Sequence, residues 1–233
     1  MNHKFNFKKY KKDNTKKTYN KFYKERDFVK FPIADKHFIK SLVKKYKLEN
    51  DSKILDIGCG TGKYTNLLTK EGMDVIGVDI SSSAIEIAKK SYPKSKFKVG
   101  DATNLDFPKN NFDVILCSGF SAFNEKELSR LTSFIEYLLT FLKKDGLFIF
   151  VKTTSLTDKP SKGNTRFDHS LNSYENFFKT LKNTKTLGSY TTYPHTFILF
   201  RKWGFSKIIS KISNINTRIT KIPLRAYIIL KKV

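Results

Sequence analysis

Apolar residues along the first two thirds of the chain fall into short runs, separated by stretches rich in glycine, serine and lysine. Ile54, Leu55 and Ile57 form one such run, β-branched in bias, and it stops abruptly at Gly58, Gly60 and Gly62 on alternate positions. A run of this kind predicts a buried parallel strand that ends in a tight turn and feeds a helix. Before it, Phe38, Ile39, Leu42, Val43 and Tyr46 share one helical face with lysines opposite. After it the alternation continues. Tyr64, Leu67 and Leu68 trace a helix that ends near Gly72, and 74–80 reads as a second strand. Ser81, Ser82 and Ser83 offer caps to a helix with Ala84, Ile85, Ile87 and Ala88 on its apolar side. Strands follow at 97–99 and 112–117. A long amphipathic helix is predicted from Leu128 to Leu142, closed by Gly146, and then a strand at 147–152. Such β-α alternation implies a parallel sheet with helices on both faces.

The pattern breaks at 153–192, which is polar apart from a helical spacing at Leu171, Tyr174, Phe177, Phe178 and Leu181. A long connection leaving the C-terminal edge of an open α/β sheet lies where ligands bind, so this segment is expected to face the substrate. It holds Asp168, His169, Tyr190 and Tyr193, with His195 just beyond. Any of these suits a general base and none is singled out, so the catalytic residue stays unassigned. A last helix is expected at 195–203, closed by Gly204, and the alternating segments 205–212 and 225–232 read as an antiparallel closing pair. Residues 1–18 form a basic tail expected to be disordered. One domain spans 19–233, with 19–48 as an N-terminal helical lid.

Composition changes this picture little. A chain of 233 residues, 39% apolar and with 21 phenylalanines, suffices for one large domain with its own core. No apolar run approaches the ~20 residues of a membrane span, and the lysine-rich N-terminus lacks the apolar segment of a signal peptide. Cys59 and Cys117 are too few for a disulfide framework and read as small buried thiols, which points to the cytoplasm. The net charge of +24 invites a polyanionic partner. Yet only six of the 45 basic residues are arginines, at 26, 130, 166, 201, 218 and 225. Arginine is the side chain that phosphate recognition favours, and abundant Lys, Asn, Ile, Phe and Tyr are what an AT-rich genome encodes. Composition therefore accounts for the charge, with nucleic-acid binding as the alternative.

Candidate chemistry concentrates at the glycine turn. Glycines at 58, 60 and 62 permit positive φ and leave no Cβ to hold a ligand away, and outward amides at a helix start favour a polar or anionic group. A dinucleotide fingerprint requires a third glycine at 63, where Lys63 stands. The spacing here is G-x-G-x-G, with Asp56 two residues ahead of it. The string from Ile54 to Gly62 resembles the first motif of the class I S-adenosylmethionine-dependent methyltransferases.

That resemblance covers about residues 19–233, with its motifs in 54–121. It implies a single doubly wound, mostly parallel seven-stranded α/β sheet in the order 3-2-1-4-5-7-6, the last strand antiparallel. It implies S-adenosyl-L-methionine as cofactor, held at Tyr19, Asp56, Gly58, Cys59, Gly60, Asp79, Ile80, Asp101, Ala102 and Ser118. In the family the first acid faces the methionyl ammonium and the glycine amides face the carboxylate. Asp79 matches the acid for the ribose hydroxyls, Asp101 and Ala102 the contacts to adenine, and Tyr19 the lid tyrosine, with Tyr23 as its rival. Cys117-Ser118-Gly119-Phe120 is neither the Asn/Asp-Pro-Pro-Tyr/Phe string of amine-directed base methylation nor the Pro-Cys nucleophile of cytosine methylation. A small-molecule or glycan-precursor acceptor is therefore the leading expectation. The alternatives are an RNA or protein methyltransferase docking through the basic N-terminus, and a non-catalytic protein on the same scaffold. No metal is implied.

Overall fold

The computed structural model describes residues 16–24, 33–155, 157–160, 166–192 and 224–233. Strands β1 (Lys53–Ile57), β2 (Asp74–Asp79), β3 (Lys96–Val99), β4 (Phe112–Ser118) and β5 (Leu142–Thr154) run parallel. A small ribbon of β6 (Lys159–Pro160) and β7 (Phe167–Asp168) stands apart from them. The main sheet is completed by β8 (Thr184–Thr192) and β9 (Leu224–Lys232), in the order β3-β2-β1-β4-β5-β9-β8. β9 lies antiparallel between β5 and β8. The expected seven-stranded doubly wound sheet and its strand order are therefore observed.

Alternation within the central strands fixes which helix covers which face. Ile54, Val114, Leu116, Ile149, Val151 and Tyr227 point to one side, where α2 (Ile33–Lys45) supplies Phe38, Ile39 and Leu42 and α3 (Lys63–Lys70) supplies Leu68. Leu55, Ile57, Ile115, Cys117, Phe148 and Phe150 point to the other. There they meet Phe134, Ile135 and Leu138 of α5 (Thr132–Leu139) and Tyr174, Phe177 and Phe178 of α6 (Leu171–Lys179). Two further helices complete the set, α1 (Lys16–Lys24), whose side chains are all at least partly exposed, and α4 (Ser82–Ser91), which packs Ile85 and Ala88 on Phe97. Ser81 caps α4 as expected, its Oγ accepting from the Ala84 amide at 3.1 Å.

Three expectations change. The predicted helix from Leu128 to Leu142 is a 3₁₀ turn over Leu128–Leu131 followed by α5, and β5 begins at Leu142. The amides of Asn110, Asn111 and Phe112 donate to the carbonyls of Thr140 and Phe141, which draws the chain out of the helix and beside β4. Gly146 is accordingly a strand residue rather than a helix cap. A Cβ there would stand 2.8 Å from Leu142 Cγ and 3.0 Å from the Asp113 carbonyl oxygen. The strand beside β9 is Thr184–Thr192, drawn from the segment read as an insertion, in the place the sequence reading assigned to 205–212. That segment, the helix at 195–203, Tyr193 and His195 lie outside the described residues. Lastly, α1 includes Lys16, Lys17 and Thr18, which the sequence reading placed in the tail.

Gly146→Val should destabilise the fold by about 1–3 kcal/mol, the usual range for overpacking. The urea midpoint measures it, and a midpoint equal to wild type would contradict the close approach of β4 and β5.

Candidate active site

The parallel strands end at a common edge, and the acids of the sequence motifs collect there. Asp56 is the penultimate residue of β1, with 1% of its surface exposed, and Thr65 of α3 donates its hydroxyl to Oδ2 at 2.7 Å. Burial raises the Asp56 carboxyl to about 7 against the pull of that hydrogen bond, and the neighbouring charge of Asp79 adds to the rise. Gly77, beside Asp56 in the β1–β2 register, makes room for this arrangement: a Cβ there would meet Thr65 Oγ1 at 2.6 Å and Cys59 Sγ at 2.9 Å.

Asp79 ends β2 and ties the edge together. One carboxylate oxygen accepts from the Gly60 amide and the other from the Ser81 amide, each at 2.9 Å. Burial raises its pKa while the amides of Ser81, Gly60 and Ile80 hold it down. The turn between β1 and α3 is left-handed at each of its glycines, with φ of 68° at Gly58, 54° at Gly60 and 82° at Gly62. Side chains other than glycine rarely adopt these values.

The expectation that the turn's amides point outward is corrected. Gly58 and Cys59 donate to the Val78 carbonyl, Gly60 to Asp79, and Gly62 to the Cys59 carbonyl. What the glycines leave open is bare Cα surface, and aromatic rings rest on it. A Cβ on Gly60 would lie 2.7 Å from the Tyr23 hydroxyl, and a Cβ on Gly58 would lie 2.8 Å from Phe120 Cδ2. Tyr23, the rival in the sequence reading, is thus the α1 tyrosine over the turn, with Tyr19 close enough to influence its titration. Burial together with Asp79 pushes the Tyr23 phenol well above its ordinary range. Asn20 holds α1 in place: its Oδ1 accepts from Ser81 Oγ at 2.7 Å and from the Ser83 amide at 3.3 Å.

The remaining predicted positions divide. Ala102 is buried behind the edge, Ile80 is half-buried, and Cys59 is a half-buried free thiol raised by burial and by Asp56 and Asp79. Asp101 is exposed, and its Oδ1 accepts from the amide and hydroxyl of Thr103 at 2.9 and 2.8 Å. That is a local turn of the kind aspartate commonly forms. Ser118 ends β4 and hydrogen-bonds to Tyr64, whose hydroxyl also accepts from Arg225 at 3.2 Å.

Two base candidates of the 153–192 segment, Asp168 and His169, are engaged elsewhere. Asp168 pairs with Arg166 at 3.3 Å, and His169 is buried with Nε2 2.7 Å from the Glu125 carbonyl oxygen. Fully buried Cys117 has its thiol pushed up by burial, which suits packing rather than attack. A residue the sequence reading passed over is Lys152, a lysine 8% exposed near the end of β5. The signal was present, since a lysine closing the apolar run 147–151 has to be buried or to mark the run's end.

Sheet order, glycine turn and the acids at the strand tips define the class I Rossmann-like methyltransferase fold. Residues 54–146 match the family model described as a methyltransferase domain. Demethylmenaquinone methyltransferase of Thermotoga maritima is 39% identical over 80 residues, which are 33% of this chain and 35% of that protein. A TehB-like SAM-dependent methyltransferase of Corynebacterium glutamicum superposes with a TM-score of 0.55 at 17% identity, over 94% of this chain and 98% of its own. Coclaurine N-methyltransferase, bound to N-methylheliamine and SAH, superposes at 0.62 and 13% identity, over 89% and 73%. At such identities the structures share the fold. Matches to the first curated relatives span from 31% to 55% of those proteins' lengths.

A carboxyl near 3.8 in the unfolded chain and about 7 in the folded one keeps its proton longer when folded. The Asp56 contribution to stability is therefore fully present below pH ~4 and is lost as pH rises through 7. Asp56→Asn keeps the Thr65 hydrogen bond without the titration. At pH 8 it should unfold at higher urea than wild type, by roughly 2–4 kcal/mol, with no difference at pH 4. Lower stability of the variant at pH 8 would contradict the burial assigned to Asp56.

Proposed function

We propose that the chain transfers a methyl group from S-adenosyl-L-methionine to a small-molecule or glycan-precursor acceptor. The observation that carries this is the convergence of two buried carboxylates, Asp56 and Asp79, on a turn whose glycines are all left-handed. Asp79 accepts the Gly60 and Ser81 amides on separate oxygens, with the Ile80 amide also directed at the carboxylate, and its remaining acceptor capacity suits a ribose hydroxyl. Asp56, largely dehydrated and near neutrality, gains most from a ligand cation such as an ammonium, which favours its charged form. Cys59, Gly58, Gly60 and Ile80 then line the cofactor, Ala102 and Asp101 border the adenine, and Ser118 faces the reacting end. Tyr23 or Tyr19 covers it from α1. Because Tyr23 occupies the surface of Gly60, α1 moves aside as the cofactor enters and closes again over it.

S-Adenosylmethionine supplies an activated methyl on a sulfonium; attack by the acceptor's nucleophilic atom leaves S-adenosylhomocysteine and releases the acceptor's proton. The protein's task is mainly alignment at near-attack distance and exclusion of water, effects able to supply ~7–11 kcal/mol. A buried edge lined by Phe120 and Tyr23 fits that task. The acceptor class is supported by the β4 corner, Cys117-Ser118-Gly119-Phe120, which carries neither string of the base-modifying enzymes. Two similar proteins, a demethylmenaquinone methyltransferase and a coclaurine N-methyltransferase, point the same way.

Calorimetric titration with S-adenosylhomocysteine tests the reading, and absence of binding by the wild type would leave a non-catalytic scaffold. Asp79→Asn should weaken that binding by roughly 1.5–3 kcal/mol, the worth of hydrogen bonds to a charged group. Gly60→Val should abolish it, since its Cβ meets the Tyr23 hydroxyl and its φ of 54° is strained for valine. Wild-type affinity in Asp79→Asn would remove this carboxylate from the cofactor site.

A further inference from the structure

Lys152 stands out among the buried groups the methyl-transfer reading leaves unused. It lies near the end of β5 on the face that carries Phe150, and a β-strand lysine so placed has its stem among aromatic side chains. Its ammonium donates to the Phe120 carbonyl at 2.9 Å. Phe120 follows Gly119, whose φ is 66° and whose amide donates to the Val151 carbonyl at 2.8 Å. The turn after β4 is thus pinned to β5 twice, by a backbone bond at Gly119 and by the lysine at Phe120. The Phe120 ring, stacked on Phe134 with centroids 5.5 Å apart, presses on the Cα of Gly58.

Resting on the proposed cofactor site, we infer that Lys152 is a positioning residue: through the Phe120 carbonyl it sets how closely the Phe120 ring seats against the glycine turn, and so shapes the wall beside the reacting end of the cofactor. A buried ammonium is costly to keep, and a hydrophobic residue of similar length would pack here without that cost. What the charge adds is a stronger, directional hold on one carbonyl oxygen. Around Lys152 stand Cys117 of β4, which burial keeps as a neutral thiol, and the ion pair of Arg166 and Asp168 beside β7. Burial lowers the lysine to about 8, with Arg166 lowering it further and the Asp168 carboxylate opposing. The hold on Phe120 is therefore strongest below pH 8 and slackens as pH rises through it.

Calorimetric titration with S-adenosylhomocysteine from pH 6.5 to 9.5, on wild type, Lys152→Met and Lys152→Arg, tests this. The Asp56 titration is shared by all three proteins, so the affinity ratios isolate Lys152. Wild type should bind roughly fivefold tighter than Lys152→Met below pH 8 and lose that margin above it, the loss of charge assistance from one hydrogen bond. Lys152→Arg should keep the fivefold margin over Lys152→Met across the whole range. Backbone amides at 119–124 should exchange faster in Lys152→Met than in wild type at pH 7. If the ratio of wild type to Lys152→Met stays constant with pH, or the margin of Lys152→Arg collapses near pH 8, the inference falls while the cofactor site stands. Should Lys152→Met not fold, the ratio of Lys152→Arg to wild type decides, expected to rise roughly fivefold through pH 8. A wild type that binds no S-adenosylhomocysteine at any pH overturns the methyl-transfer reading instead, and unchanged exchange at 119–124 would then overturn this one too.

Discussion

Asp79 accepts the amides of Gly60 and Ser81 on separate oxygens, and the geometry of the whole edge follows from that bridge. It ties the turn after β1 to the tip of β2 and to the start of α4. Without it the left-handed conformation of Gly60 would lose its anchor, and the two acids would not be held side by side. The arrangement is expensive, since two carboxyls lie nearly dehydrated within each other's field. A fold selected for stability alone would neutralise or separate them. Their persistence at one spot is the physical reason to read the edge as a binding site for a cation-bearing ligand.

Charge is also sorted along the edge. Asp56, Asp79 and Asp101 occupy the tips of β1, β2 and the turn after β3, whereas Lys152, Arg225 and Lys63 gather around β4, β5 and β9. Lys63 is lowered to about 8 by burial and by Arg225, which shows how close those cations are brought. Aromatic rings mark the seam between the halves, with Phe120 over Gly58 and Tyr23 over Gly60. The first ring is fixed from the sheet by Lys152 and the second is carried on α1, a helix with no buried residue. One wall of the site is thereby held from within the sheet and the other from a surface helix tied to α4 through Asn20.

Much of this was legible before the structure. The runs at Ile54, Val75 and Val114 predicted β1, β2 and β4 because buried parallel strands need continuous apolar stretches, and the acids near the ends of β1 and β2 broke those stretches visibly. The serine cap of α4 was legible as well, and the strand order was implied by the family resemblance rather than by the residues themselves. Illegible parts have particular causes. Leu138, Leu139 and Leu142 keep helical spacing across the α5–β5 junction, and only pairing of Thr140 and Phe141 with the start of β4 ends the helix. Thr184 to Thr192 reads as polar linker because an edge strand needs few apolar residues. That the turn's amides are consumed by Val78 and Asp79 is a matter of three-dimensional register, invisible in a glycine spacing.

The central claim is that a largely protonated, buried Asp56 becomes charged when it meets the cofactor's ammonium. Calorimetry of S-adenosylmethionine binding at pH 6, in buffers of different ionisation enthalpy, counts the protons exchanged on binding. The account predicts release of close to one proton at pH 6, shrinking toward none above pH 8, and no such release in Asp56→Asn. Binding with no proton release, or with uptake, would contradict it.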